Sequence, residues 1–354
     1  MKKRTKLLII LLVLLLLIGG TGYFMVRESL RPSSTSEEDT VSITIEENWY
    51  GRKVLSYLEE VGLLRNADIA YYYTRLKNID TDFKAGTYEV SRAWDLEKLI
   101  GYLSDGNNAI QETVSIKLLE GYRIKDFAET IAENTDLSYD ELISYWNDKD
   151  VLRSYMNDYP FLSEDILGDD VMYLFEGYLF PDTYEFFIHT DADEVTRKLL
   201  DNTLAVYNRY EDLFRQSEYS VHEIFTLASI IQRESGDPDD MRDVSSVFHN
   251  RLAAGMQLQS SVTVCYSLDI GINEDWTKCE ITQTEHHPYN TYQVIGFPPG
   301  PICAFSEDAL SAALEPSKTD YYFFIGNVCG GGETIFASTY EEQLANQERY
   351  LTCY

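Results

Sequence analysis

Hydrophobic positions alternate along Val41, Ile43 and Ile45, the period-two signature of a strand. Val54, Leu55, Leu58, Val61 and Leu64 then fall at helical spacing, and "DIAYYYTRLKN" continues as a second helix. "FKAGTYEV" (83–90) reads as a strand containing a glycine, and "DLEKLIGYLSDG" as a short helix with Asp95 at its cap and Gly106 at its stop. Together these form a compact β-α-α-β-α unit. "ETVSIKLLEGY" (112–122) opens a second unit with another strand. Helices are predicted at 125–134, 138–147 and roughly 191–217. Between them, the aromatic "LFEGYLFPDTYEF" (174–186) contains Gly177 and Pro181, which forbid a long helix. A helix over about 221–235 is followed by one at 239–253, with Asp237 as N-cap, Pro238 in the first turn and Gly255 as stop. Gly/Pro-rich loops, a helix at 306–315, the strands "YYFFIG" and "ETIFAS" and a terminal helix complete an α+β chain.

The N-terminus adds a different pattern. Leu7–Val26 is an uncharged apolar run of twenty residues, long enough at ~1.5 Å per residue to cross a ~30 Å hydrocarbon core. Lys2, Lys3, Arg4 and Lys6 precede it, which predicts a cytoplasmic N-terminus (1–6), a transmembrane anchor (7–26) and an extracytoplasmic remainder. The anchor is favoured over a cleaved signal peptide because no A-x-A pattern appears and the apolar run continues through Tyr23–Val26. Residues 27–40, "RESLRPSSTSEEDT", read as a polar linker. The two folded units are then 41–111 and 112–354.

Charge narrows the partners. Against 29 basic residues stand 59 acidic ones, a net charge of −30, so there is no basic field to displace counterions from nucleic acid. Five cysteines (265, 279, 303, 329, 353) allow up to two disulfides with one left over, or small buried residues in a reducing setting. Their spacing fits no zinc pattern. His286 and His287 are adjacent, so they point apart, and no further ligand cluster accompanies them. No metal or cofactor is expected.

The strongest chemical candidate lies in "LASIIQRESGDP" (227–238). At ~100° per residue, with Leu227 at zero, Ile224 lies near +60°, Ile231 near +40° and Glu234 near −20°. The Glu234 carboxylate therefore projects from the apolar face, while Gln232 (about +140°) and Arg233 (about −120°) fall on the wetter side. Burial raises a carboxyl pKa, as a general acid at neutral pH requires. The plainer alternative is that Glu234, close to Gly236, frays into water. A glutamate at a helix C-terminus meets an unfavourable dipole, so its presence there asks for a reason.

Seven segments in fixed order resemble the MltG-type (YceG-like) endolytic murein transglycosylases. They are "FKAGTYEV", "LLEGYRIKDFAETI" (118–131), "EGYLFPDTYEF" (176–186), "LASIIQRES", "VSSVFHNRLAAGMQLQS" (244–260), "YNTYQVIGFPPGPI" (289–302) and "ALSAALEPSKTDYYFFI" (309–325). The resemblance implies a membrane-anchored enzyme cutting peptidoglycan glycan strands internally, with a small LysM-like domain at 41–111 and a mixed α/β catalytic domain at 112–354. It implies cell-wall synthases as partners and places the catalytic acid at Glu234, with Gln232 at a position that is acidic in the family. Gln259, Tyr289, Asn290 and Tyr292 are the expected substrate-orienting residues.

A lytic transglycosylase needs only one carboxylate. The muramic acid 6-hydroxyl is the internal nucleophile, and proximity replaces the second carboxylate of an ordinary glycosidase. The chain departs from the family's pattern at Ser261-Val262, where Asp-Pro is common, at Thr334, where a histidine is common, and at His249, usually apolar. These departures keep a catalytically silent glycan-binding scaffold open as the alternative; plain hydrolysis is a third reading.

Overall fold

The computed structural model describes residues 20–21, 24–46, 49–110, 112–271, 277–330 and 332–352. Most of the 7–26 run lies outside them; among the described residues no helix is long and apolar enough to cross a membrane. The chain divides into two compact units, 1–112 and 113–354, in an α+β architecture.

In the first unit β1 (Thr40–Ile45) pairs antiparallel with β2 (Gly86–Ser91), from Thr40↔Ser91 to Ile45↔Gly86. Helices α1 (Gly51–Glu60), α2 (Ala67–Lys77) and α3 (Leu96–Leu103) surround it. The alternating residues Ile43 and Ile45 meet Val54, Leu55, Leu58, Tyr88 and Leu99 in one core. Asp95 caps α3 through the Lys98 N–H, as its position predicts, but α3 ends at Leu103, before Gly106. The 27–40 segment is no free linker: Ser33 Oγ donates to Gly62 O at 2.7 Å, and Ser34 N–H to Arg92 O at 3.0 Å. The Ser33 hydroxyl and the Ser34 N–H each take up a backbone carbonyl, which ties the segment down.

The second unit opens with β3 (Thr113–Lys117), α4 (Ile124–Ala132), α5 (Tyr139–Trp146) and α6 (Lys149–Tyr155). β4 (Thr183–Phe187) pairs antiparallel with β3, from Thr113↔Phe187 to Lys117↔Thr183. The aromatic stretch that forbids a helix thus ends in a strand, with Tyr184 and Phe186 turned inward. The helix expected over 191–217 breaks at Tyr210 into α7 (Ala192–Arg209) and α8 (Glu211–Gln216). α9 (Val221–Glu234), α10 (Pro238–Ala253), α11 (Ser261–Ser267), α12 (Thr277–Ile281) and α13 (Glu307–Leu314) follow. A β5 (Phe323–Gly326)–β6 (Thr334–Ala337) hairpin and α14 (Tyr340–Tyr350) close the chain.

α9 is the axis of this unit, packed against α10, α11 and α13. Its capping box, Ser220 with Glu223, satisfies the first-turn donors. Every residue from Ile224 to Ile231 is buried, so the helix has no wet flank of the kind its phase suggests. Cys265–Cys279 form a disulfide, Cys329 is also disulfide-bonded, and Cys303 is a buried free thiol. Cys353 lies outside the described residues.

Candidate active site

Glu234 is the last residue of α9. The chain must turn at once, because Asp237 caps α10 through the Asp239 N–H and Pro238 occupies that helix's first position. The carboxylate continues the face of Ile224, Leu227 and Ile231, each 0% exposed, and is itself half-buried. It sits at the mouth of the core rather than inside it.

Its partner comes from 26 residues downstream: Ser260 Oγ donates to Glu234 Oε1 at 2.5 Å. Ser260 is the N-cap of α11, yet its side chain caps nothing; the hydroxyl is turned to the glutamate instead. The turn is enforced by a buried polar knot. Gln259 N–H donates to Thr291 O at 3.1 Å, and Ser260 N–H to Thr291 Oγ1 at 2.9 Å. Thr263 Oγ1 donates to Ser260 O at 2.8 Å and lies 2.9 Å from Thr291 Oγ1. These bonds zip "LQSS" to "YNTY".

Arg251 braces the other side. Its guanidinium, 6% exposed, donates to Tyr322 O at 2.7 Å, Leu258 O at 2.7 Å and Gln257 O at 3.3 Å. It also reaches Gln259 Oε1 at 3.2 Å, and Gln259 holds a left-handed backbone with φ 53°. One buried cation therefore collects three carbonyls and shapes the loop that delivers Ser260. Desolvation pushes the Glu234 carboxyl above the ordinary carboxylate range; the Ser260 hydroxyl and the positive charges of Arg233 and Arg251 oppose it.

The expected orienting residues divide. Gln259 is exposed beside this loop. Tyr289 and Asn290, each 1% exposed, do not present side chains outward. Tyr289 packs on Tyr266 with ring centroids 4.8 Å apart. Asn290 donates to Gln283 O at 3.0 Å and Glu285 O at 2.6 Å, pinning its own loop. In this structure Asn290 therefore supports its own loop, and Tyr289 lies in the interior. Tyr292 is half-buried against the Val264, Cys265 and Ile270 cluster.

The departures also find places. Gln232 is not on a wet face: its Oε1 accepts the Ser306 N–H at 2.8 Å, linking α9 to the residue that caps α13. His249, whose basicity burial lowers, lies with Nε2 3.0 Å from Ala313 O and with its ring beside Tyr219. Ser261 and Val262 begin α11, and Thr334 lies opposite Gly326 in the hairpin. Among the described residues no group of three His, Cys, Asp or Glu could hold a metal ion.

A second glutamate escaped the sequence reading. Glu176, 2% exposed, has a carboxyl pushed up to about 7 by burial, opposed by the Arg123 charge and by the Ile124 N–H that donates to it at 2.9 Å. Arg123 lies over the Tyr266 ring at 4.7 Å and donates to Asp269 at 2.6 Å.

The fold and site define a chain organised around one half-buried carboxylate on a helix end. The family described as YceG-like matches residues 43–349, and the chain belongs to that family. The endolytic murein transglycosylase of Bacillus subtilis strain 168 is 29% identical over 337 residues, covering 95% of this chain and 91% of its own length. That of Streptococcus pneumoniae strain D39 is 28% identical, covering 94% of this chain; the chain spans 62% of that longer relative. A crystal structure of a YceG-like protein from Listeria monocytogenes superposes with a TM-score of 0.61 at 29% identity, over 88% of this chain and 99% of that one.

Proposed function

We propose that this chain is an endolytic lytic transglycosylase of peptidoglycan, with Glu234 as its single general acid and base. Desolvation keeps a proton on Glu234 at higher pH than an exposed carboxyl would hold it. That proton passes to the glycosidic oxygen as the bond between MurNAc and GlcNAc breaks. The resulting carboxylate takes the proton of the muramic acid 6-hydroxyl as that oxygen closes on the anomeric carbon. The product is a 1,6-anhydro end, and no water is consumed. Ser260 stabilises the anionic stage by donating to Oε1.

The observation that carries this reading is the company Glu234 keeps: a half-buried carboxylate at a helix end accepts the Ser260 hydroxyl on one oxygen, with the Arg233 and Arg251 charges acting on it. Hydrolysis with two carboxylates needs a partner within several ångströms, roughly 5–9.5 Å. An internal nucleophile does not. Residues 7–26 serve as a single-pass anchor that leaves both units outside the membrane, residues 41–111 as a LysM-like domain, and cell-wall synthases as partners; the sequence pattern and the family support these roles.

The test is digestion of purified uncrosslinked glycan, with mass spectrometry of the products. Wild-type protein should give 1,6-anhydro ends and Glu234→Gln about 10²–10⁴-fold fewer. Reducing ends would mean hydrolysis, and binding without cleavage by the wild type would favour the scaffold reading.

A further inference from the structure

Gln259 carries a backbone that an L side chain rarely adopts: its φ of 53° lies in the left-handed region that glycine enters freely. A cost of this kind persists only where the surroundings hold the residue, and it recurs at active sites and ligand clamps. Here the hold is visible. Gln259 N–H donates to Thr291 O at 3.1 Å, and its side-chain Oε1 accepts from Arg251 Nη1 at 3.2 Å. A guanidinium only donates, so that contact fixes which end of the amide faces it. The oxygen is turned to Arg251, and the Nε2 end of this exposed residue carries the free hydrogens. Among the described residues Nε2 donates to no protein group.

Two links bring that donor close to Glu234. Gln259 is the neighbour of Ser260, ~3.8 Å away from Cα to Cα, and Ser260 Oγ touches Glu234 Oε1 at 2.5 Å. The guanidinium that holds the Gln259 oxygen is also the one whose charge acts on Glu234. An amide with its oxygen engaged offers hydrogens only, so it selects for a group that only accepts. A carbonyl oxygen meets that condition, whereas a sugar hydroxyl can donate as well as accept. The carbonyl oxygens nearest the anomeric carbons of a MurNAc–GlcNAc strand belong to the 2-acetamido groups, carried on the adjacent ring carbon.

We propose that the Gln259 side-chain amide is a specificity-determining donor to the 2-acetamido carbonyl of a sugar at the scissile bond. The assignment rests on the transglycosylase reading for the identity of the strand, but its binding chemistry can be read without cleavage. With its oxygen held by Arg251, the amide does not turn an acceptor toward the acetamide oxygen. Glycine would remove the backbone cost at this position, and it would remove the donor with it.

The test titrates soluble uncrosslinked glycan into the full chain by calorimetry, with Glu234→Gln as the parent so that the strand survives the measurement. The same glycan after enzymatic removal of its N-acetyl groups is the comparison. Adding Gln259→Gly should weaken binding of the acetylated strand about tenfold and change binding of the deacetylated strand by less than about twofold. Parent and variant are compared on one glycan at a time, so attraction of the new ammonium groups to this acidic chain cancels. A thermal melt checks that the variant folds. Gln259→Asn also tolerates the left-handed backbone but draws the amide back by one methylene; it should show the same selective loss and stands in if the glycine variant unfolds. Equal loss on both glycans would make Gln259 a support of its loop and overturn the assignment. Unchanged or undetectable binding of the acetylated strand overturns it as well. Anhydro product from the wild type, with no acetamide-dependent effect of Gln259, would sink the assignment alone. An acetamide-dependent effect in a chain whose wild type makes no anhydro product would sink the transglycosylase reading alone.

Discussion

Two glutamates in the second unit have carboxyls pushed upward by burial, and they differ in nearly everything else. Glu176 is sealed behind Arg123 and Tyr266, with the Ile124 N–H on one oxygen. Glu234 stands half-buried at the end of α9, with a single side-chain donor on one oxygen. A raised pKa alone would nominate both. Access separates them: a carboxyl that exchanges protons with a sugar oxygen must come within hydrogen-bond reach of it, and a sealed one cannot. The sealed glutamate reads as a brace: it accepts the Ile124 N–H beside Arg123, whose guanidinium reaches Asp269 just past α11, and α11 begins next to Ser260. The lesson is that geometry ranks candidates which electrostatics only collects.

The largest effect should come from the open glutamate. Glu234→Gln removes the transferable proton, and formation of anhydro product should fall about 10²–10⁴-fold, followed by mass spectrometry of digested glycan. Next comes the loop. Arg251→Ala should lower unfolding free energy by roughly 3 kcal/mol in urea melts, since it deletes several bonds from a buried cation and orphans the carbonyls of Leu258 and Tyr322.

The sealed glutamate is tested by pH. Its folded pKa of about 7 exceeds the unfolded value of ~4.3, so the native state binds the extra proton between those values. Wild-type stability should therefore fall as pH rises from about 5 to 7, and Glu176→Gln, which cannot ionise, should lack that component. The variant's stability relative to wild type should rise over this window by up to ~3 kcal/mol, measured by melts at each pH. A flat difference would show that Glu176 is ionised throughout.

A smaller effect is expected at Ser260. Ser260→Ala removes a donor that lowers the Glu234 pKa, so the alkaline limb of the pH–rate profile should move upward, with about a tenfold loss of rate. A downward shift would contradict the contact. The smallest change should come from Gln232→Glu, which restores an acid at a position whose oxygen already serves the Ser306 N–H; stability should change by about 0.5 kcal/mol or less.

Much of the local structure was legible in advance. Period-two and helical spacing located β1, α1 and α9, and the Asp237-Pro238 pair marks the start of α10, because caps and propensities act over a few residues. The phase of α9 put Glu234 in line with Ile224, Leu227 and Ile231, as the structure does. The same argument misplaced Gln232, because periodicity assumes one wet flank and a central helix has none. β4 was missed since its pairing with β3 spans some 70 residues. The burial of Tyr289 and Asn290 was not legible, because a motif shows residue types without showing which way they point.

The sequence by itself determined where α3 and α10 begin, at Asp95 and Asp237, which carboxylate completes the apolar face of α9, and which family the chain resembles. Only the tertiary structure decided that Ser260 turns its hydroxyl from its own helix to Glu234, that Arg251 holds the loop by its carbonyls, and that Glu176 is sealed while Glu234 is open. The physical reason is range. Caps and hydrophobic period are written in neighbouring residues, whereas a polar bond across 26 or more positions leaves no local mark and forms only when packing brings its partners together.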